Sequence, residues 1–123
     1  EFHESGMVTF GLLGTKADKA DKLSFDPDKI RRRAMFPEVK EIFKDYSVFI
    51  GGTTSFDITP KRYNKFDAVL RYAAEQGYSF DQILFVGDDF LDGGNDSQIR
   101  LGGMDYIRID DYTRLPEKLE FLF

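Results

Sequence analysis

Hydrophobic and polar positions alternate along the chain in short blocks, and each block predicts an element. Met7 to Leu13 is an apolar run the length of one strand. Residues 14–22 are polar, with Ala-Asp-Lys at 17–19 and again at 20–22. Two copies are too few for a structural repeat, so the stretch reads as a loop or short helix. A helical pattern follows, out to about Tyr46. Asp26 or Asp28 can cap it, with Pro27 near its first turn. Ile30, Ala34, Val39, Ile42 and Phe43 give it an apolar stripe. Pro37 is expected to kink or split it. Ser47 to Ile50 and Thr54 to Ile58 are strands on either side of Gly51-Gly52, which together predict a hairpin. In the second strand Ser55 and Asp57 share one face, and Phe56 and Ile58 share the other.

The pattern changes at Pro60-Lys61-Arg62-Tyr63-Asn64. Beyond it, helix and strand alternate: a helix at 64–76, a strand at 82–86, a helix at 96–101, a strand at 106–109 and a helix at 113–121. Gly77 fits the residue just past a helix end. This alternation predicts a doubly wound, parallel α/β arrangement. The first half has antiparallel-looking strands and a long helix, so the chain divides near residue 59.

Candidate chemistry gathers after the strand that ends at Val86. Gly87 punctuates it, and Asp88 and Asp89 follow at its carboxyl end, the edge where open α/β sheets bind ligands. Asp92, Asn95 and Asp96 return more oxygen donors to that rim, and Gly93-Gly94 lets the backbone approach a ligand. Oxygen donors without His or Cys suit a hard cation, Mg²⁺ before Ca²⁺. The same residues also suit a solvated turn with an Asx cap on the next helix. The spacing is not that of an EF-hand. Lys65 stands in the first turn of its helix, where the macrodipole disfavours cations. It is either aimed at an anion or a plain surface lysine. Arg31-Arg32-Arg33 reads as a solvated helix face, with an anion site as the alternative.

Composition narrows the class. The chain has 123 residues, 41% hydrophobic and 32% charged, which fits one folded domain or slightly more. A net charge of −5 argues against a nucleic-acid surface. With no Cys there is no disulfide framework, and a reducing compartment such as the cytoplasm fits. No apolar stretch approaches a membrane span, and no signal peptide is visible. The chain opens on Glu1-Phe2-His3 without Met, as expected for a piece of something longer or a processed chain.

Three stretches carry a resemblance. Asp57-Ile58-Thr59-Pro60, then Asn64-Lys65, then Ile83 to Asp96 resemble the second half of a haloacid-dehalogenase (HAD) superfamily phosphotransferase with a subclass IIB cap. Gly51-Gly52-Thr53-Thr54-Ser55-Phe56-Asp57 and Gly93-Gly94-Asn95-Asp96 are similar to the eukaryotic-type phosphomannomutase branch. Gly6-Met7, Gly14 and Phe25 fall where that branch's cap has them. The resemblance implies an α+β cap over 1–59, built on an antiparallel sheet with helices. It implies the C-terminal half of a Rossmann-like, doubly wound core over 60–123.

It also implies Mg²⁺-dependent phosphoryl transfer on a phosphorylated sugar. Lys65 and Asp88 would be catalytic, Asp88 and Asp89 would hold the metal, and Asn95 and Asp96 would orient them. Ser55, Asp57 and Lys22 would bind the sugar phosphate. A homodimer through a cap strand edge is consistent with the branch. The superfamily's attacking aspartate lies in an Asp-x-Asp motif after a first core strand, and no such motif precedes the cap here. The nucleophile is therefore expected on an N-terminal segment outside these residues, and this piece alone is expected to be inactive. Where the branch has cap arginines, this sequence has Glu4, Thr15 and Lys22, and lysine does not reproduce a bidentate guanidinium. A phosphatase and a mutase both stay open. A receiver-like signalling domain also pairs acids with a lysine, but its acids come near the domain start. A non-catalytic sugar-phosphate binding module is the remaining alternative.

Overall fold

The alternation read at 54–58 becomes the central strand of an antiparallel sheet in the computed structural model, which describes residues 1–123. Strands β1 (Val8–Gly11), β2 (Tyr46–Gly51) and β3 (Ser55–Pro60) lie in the order β1-β3-β2. The hairpin expected around Gly51-Gly52 forms, with Gly51 opposite Ser55 and Tyr46 opposite Pro60. Thr9 on β1 and Phe49 on β2 both face Asp57 on β3. Val48, Ile50, Phe56 and Ile58 make the core of this unit, and Leu12, Phe36 and Val39 pack against it.

Two helices serve this sheet, α1 (Lys19–Phe25) and α2 (Ile30–Ile42). Asp18 caps α1 by accepting the Asp21 amide at 2.8 Å. Asp26 opens α2: its two oxygens accept the Arg31 and Arg32 amides at 3.0 and 3.1 Å, satisfying two of the helix's orphan donors. Pro37 neither splits α2 nor ends it, although it withholds one amide from the helical ladder. The helix stops at Ile42, short of the expected Tyr46, and the Tyr46 amide bonds back to Phe43 as the chain turns into β2.

The phase of α2 also departs from expectation. Ile30 and Ile42, assigned to its apolar stripe, are 68% and 66% exposed. Arg32 is 1% exposed, which corrects the reading of 31–33 as a solvated face at that position, while Arg31 is exposed as expected. The inward row is Arg32, Phe36 and Val39, spaced four and three residues apart. A periodicity that scores arginine as solvent-facing selects the wrong side of the helix.

The second unit is a parallel pair, β4 (Leu84–Gly87) and β5 (Asp105–Arg108), with Leu84 opposite Asp105 and Gly87 opposite Arg108. Helices α3 (Lys65–Gln76), α4 (Ser97–Leu101) and α5 (Leu115–Lys118) accompany it. Gly77 takes φ +78°, and the Tyr78 amide reaches the Ala73 carbonyl at 2.8 Å, closing α3 as a C′ glycine does. Phe90, Ile99 and Met104 form the core, with Phe66, Val69, Leu70, Ile83 and Phe85 around it. Phe90 stacks on Tyr106 at 4.1 Å between ring centroids. The single helix expected over 113–121 is instead broken into a 3₁₀ turn, α5 and a second 3₁₀ turn. Phe121 and Leu122 stay 67% and 57% exposed, so little burial holds that segment in one helix.

The architecture is thus mixed α/β. The first unit comprises Glu1–Asn64 with Asp92–Asn95, and the second comprises Lys65–Leu91 with Asp96–Phe123. Gly93 takes φ +82° and accepts the Ile50 amide at 2.7 Å. A Cβ there would press on Ile50 and Phe36, so only glycine allows this approach. No helix is long and apolar enough to cross a membrane.

Candidate functional site

Asp96 is the pivot of the second unit's rim. It is fully buried at the head of α4. Its Oδ1 accepts the Lys65 ammonium at 2.5 Å. Its Oδ2 accepts the amides of Asp88 and Asp89 at 3.0 and 3.1 Å. Its own amide donates to the Asp89 carbonyl at 3.0 Å. One carboxylate therefore ties the loop after β4 to the first residue of α3. Gly87 makes room for this: a Cβ there would run into the Asp96 carboxylate and the Phe85 ring.

Burial pushes the Asp96 carboxyl up, but the bonds from Lys65 and the Asp89 and Asp88 amides outweigh it. The group sits below the ordinary aspartate value as a result. Lys65 itself has a 44% exposed side chain. An ammonium carries three donors and Asp96 takes one, so Lys65 can also reach an anion. Asp88 is exposed at the rim and Asp89 is buried beside it. Asn95 is exposed, in the segment that belongs to the first unit. Of the residues singled out by sequence, Lys65, Asp88, Asp89 and Asp96 therefore come together.

No three His, Cys, Asp or Glu side chains converge in a cluster fit to hold a metal by themselves. Magnesium commonly takes only one or two carboxylates and fills its octahedron with water and phosphate oxygen. Asp88, with Asp89 next to it, fits that sparse donor set. Asp96 does not, because its oxygens are already occupied.

The first unit presents a second group of polar residues. Ser55 is buried and donates to the Gly51 carbonyl at 3.0 Å. Asp57 is half-buried and accepts the Thr9 hydroxyl at 2.7 Å. Thr9 is in turn 2.9 Å from Nε2 of His3. A Cβ at Gly51 would strike the Asp57 carboxylate, so the glycine leaves room for it. Lys22 lies apart on α1, its ammonium 3.2 Å from the Thr15 carbonyl.

Sequence reasoning missed the residue that holds this turn. The Arg32 guanidinium donates to Asp26 Oδ2 at 2.9 Å and to the carbonyls of Gly51, Gly52 and Ser55 at 2.6, 3.1 and 3.3 Å. Burial raises the Asp26 carboxyl, and the Arg32 side chain and the Arg31 and Arg32 amides more than reverse it. The net shift is downward, towards a charged group that stays charged. Thr9 and His3 were also missed, because nothing in a strand's local pattern shows which side chain faces it across the sheet.

A family model described as eukaryotic phosphomannomutase matches residues 1–106. The chain is 36% identical to the phosphomannomutase of Schizosaccharomyces pombe over 100 residues, which are 77% of this chain and 38% of that protein. It is 35% identical to the phosphomannomutase of Saccharomyces cerevisiae and 33% identical to that of Solanum lycopersicum, with the same coverage. The chain spans less than two fifths of the length of these curated relatives.

Proposed function

Since the chain belongs to the eukaryotic phosphomannomutase family, we propose that it takes part in Mg²⁺-dependent phosphoryl transfer on a phosphorylated sugar. In this reading, residues 1–59 are the substrate cap and residues 60–123 are the C-terminal half of a HAD-type core. The attacking aspartate then lies on a segment preceding residue 1. The observation that carries the proposal is the Asp96 carboxylate, which holds Lys65 and the Asp88–Asp89 backbone together at one rim.

Each group then has a task. Lys65, held by Asp96, directs its remaining N–H donors at the phosphoryl oxygens and offsets their charge. Asp88 and Asp89 are the candidate ligands for Mg²⁺. When bound, that ion cancels repulsion between carboxylates and phosphate. Asp96 keeps the loop amides and the lysine in register, so that little reorganisation remains at the moment of transfer. On the cap, Asp57 accepts a hydroxyl of the sugar, Ser55 adds a polar edge beside it, and Lys22 meets a phosphate. Glu1–His3 pair along the outer edge of β1, so a homodimer of caps would pair through the outer edge of β2 before Ile50.

The test is turnover of a hexose-phosphate panel by the full-length protein, with and without Mg²⁺. Lys65→Ala and Asp88→Ala should each cost about 100-fold or more in kcat, the scale of losing one charge-stabilising group. Stimulation by a bisphosphorylated sugar, with phosphate moving between positions, identifies a mutase. Release of inorganic phosphate identifies a hydrolase. Tight sugar-phosphate binding without turnover would overturn the enzymatic reading and leave a binding module.

A further inference from the structure

The polar chain His3–Thr9–Asp57 crosses β1 and β3, and only Asp57 among its members has a role in the reading above. Thr9 has one hydroxyl proton, and it goes to Asp57 Oδ1 at 2.7 Å. An ionised carboxylate only accepts. The Thr9 oxygen must therefore be the acceptor from His3 Nε2, 2.9 Å away, which puts the imidazole proton on that nitrogen. All three residues are half-buried. Thr9 and Asp57 are direct cross-strand partners, so the bond is set by sheet register rather than by a flexible loop. On the other side, the missing side chain of Gly51 leaves space for the same carboxylate.

We propose that Thr9, backed by His3, is a positioning residue that fixes the rotamer of Asp57 and so tunes sugar recognition by the cap. The proposal rests on the reading of Asp57 as a substrate group. A carboxylate repels phosphate, so the ligand atom it selects is a sugar hydroxyl. One carboxylate oxygen is held by Thr9, and the plane of the group is thereby set. A hydroxyl of the right stereochemistry then meets a preoriented acceptor. Without the Thr9 hydroxyl the carboxylate turns about χ1 and χ2 and must be ordered when substrate binds, which weakens binding. The chemistry of transfer lies elsewhere, so kcat is spared.

The experiment compares Thr9→Val, Thr9→Ser and Asp57→Asn in the full-length protein, with mannose 1-phosphate as the probe. Valine keeps the shape and β-branching of threonine and removes only the hydroxyl. Thr9→Val should raise KM about 5- to 10-fold with kcat changed less than about twofold, the signature of lost uniform binding. Thr9→Ser, which restores the hydroxyl, should return KM to within about twofold of the parent. A raised KM in Asp57→Asn with an unchanged KM in Thr9→Val would overturn the role of Thr9 and leave the site reading intact. An unchanged KM in Asp57→Asn would overturn that reading and this proposal with it. Equal losses in Thr9→Val and Thr9→Ser would show that the hydroxyl is not the acting group, which also overturns it. If Thr9→Val folds poorly, Thr9→Ala against Thr9→Ser provides the same contrast.

Discussion

Asp96 concentrates at one residue what the second unit needs from its rim. It is a buried charge, and a buried charge survives only when its oxygens are satisfied. Here they accept from Lys65 and from two backbone amides. Its carboxyl lies below the ordinary aspartate value, so as pH falls the unfolded chain takes up the proton first. The stabilisation is complete above the unfolded value, near pH 4, and is lost as acid carries the pH down through the folded value. Asp26 has the same sign for the same kind of reason. Urea unfolding between about pH 2.5 and pH 6 should therefore show a midpoint that drops on the acid side. Asp96→Asn should flatten that drop while leaving the share due to Asp26. An acid slope identical in parent and variant would refute the assignment.

Part of this was legible in the sequence. Asp88, Asp89 and Asp96 lie within nine residues of one another, so a single turn after a strand had to bring their backbone together. The partnership of Asp96 with Lys65 spans 31 residues and was supplied by the family resemblance, not by spacing.

At the scale of the element, α2 shows how a helix can be recognised and its face mistaken. Its existence followed from pattern and from an acid before a proline. Its orientation did not, because the residue facing inward at the start is an arginine. That arginine is tolerated since Asp26 and three carbonyls satisfy its donors. The sequence offered Asp26 and Asp28 equally as caps, and the structure distinguishes them. Asp26→Ala removes two amide acceptors and leaves the Arg32 charge buried without its carboxylate. It should cost about 3 kcal/mol or more, and Asp28→Ala less than about 1 kcal/mol. Thermal unfolding of the two variants side by side decides this, and equal losses would refute it. The last expected helix failed for the opposite reason. Its pattern was helical, but too few of its side chains are buried to hold more than one α turn and two 3₁₀ turns.

Across the whole molecule, the two units differ in how complete their sheets are. The first has three strands whose central member is paired on both sides and a core that includes Phe36 and Val39 of α2. The second has two parallel strands, fewer than an independent sheet usually needs. Leu101, Phe121 and Leu122 are each more than half exposed in that unit. Parallel strands are normally covered and flanked on both sides. On the reading proposed above, in which a preceding segment completes this core, the isolated 123 residues should bind a hydrophobic dye such as ANS and unfold with low cooperativity, and the longer protein should do neither. A sharp, dye-silent transition in the isolated chain would show that these residues complete their own core.

What the sequence determined by itself is local: the strands and all but the last of the helices, the hairpin, the C′ glycine at Gly77 and the acidic rim after Val86. These follow from periodicities and spacings of a few residues, which steric and hydrogen-bond rules fix before any packing occurs. The tertiary structure decided which polar groups meet. Arg32 closes on Gly51 across 19 residues, Lys65 on Asp96 across 31 and Thr9 on Asp57 across 48. Those partnerships come from sheet register and helix phase. Both are set when the apolar core chooses which face of each element to bury, and a buried arginine shows that the choice is made by the whole contact set rather than by residue type.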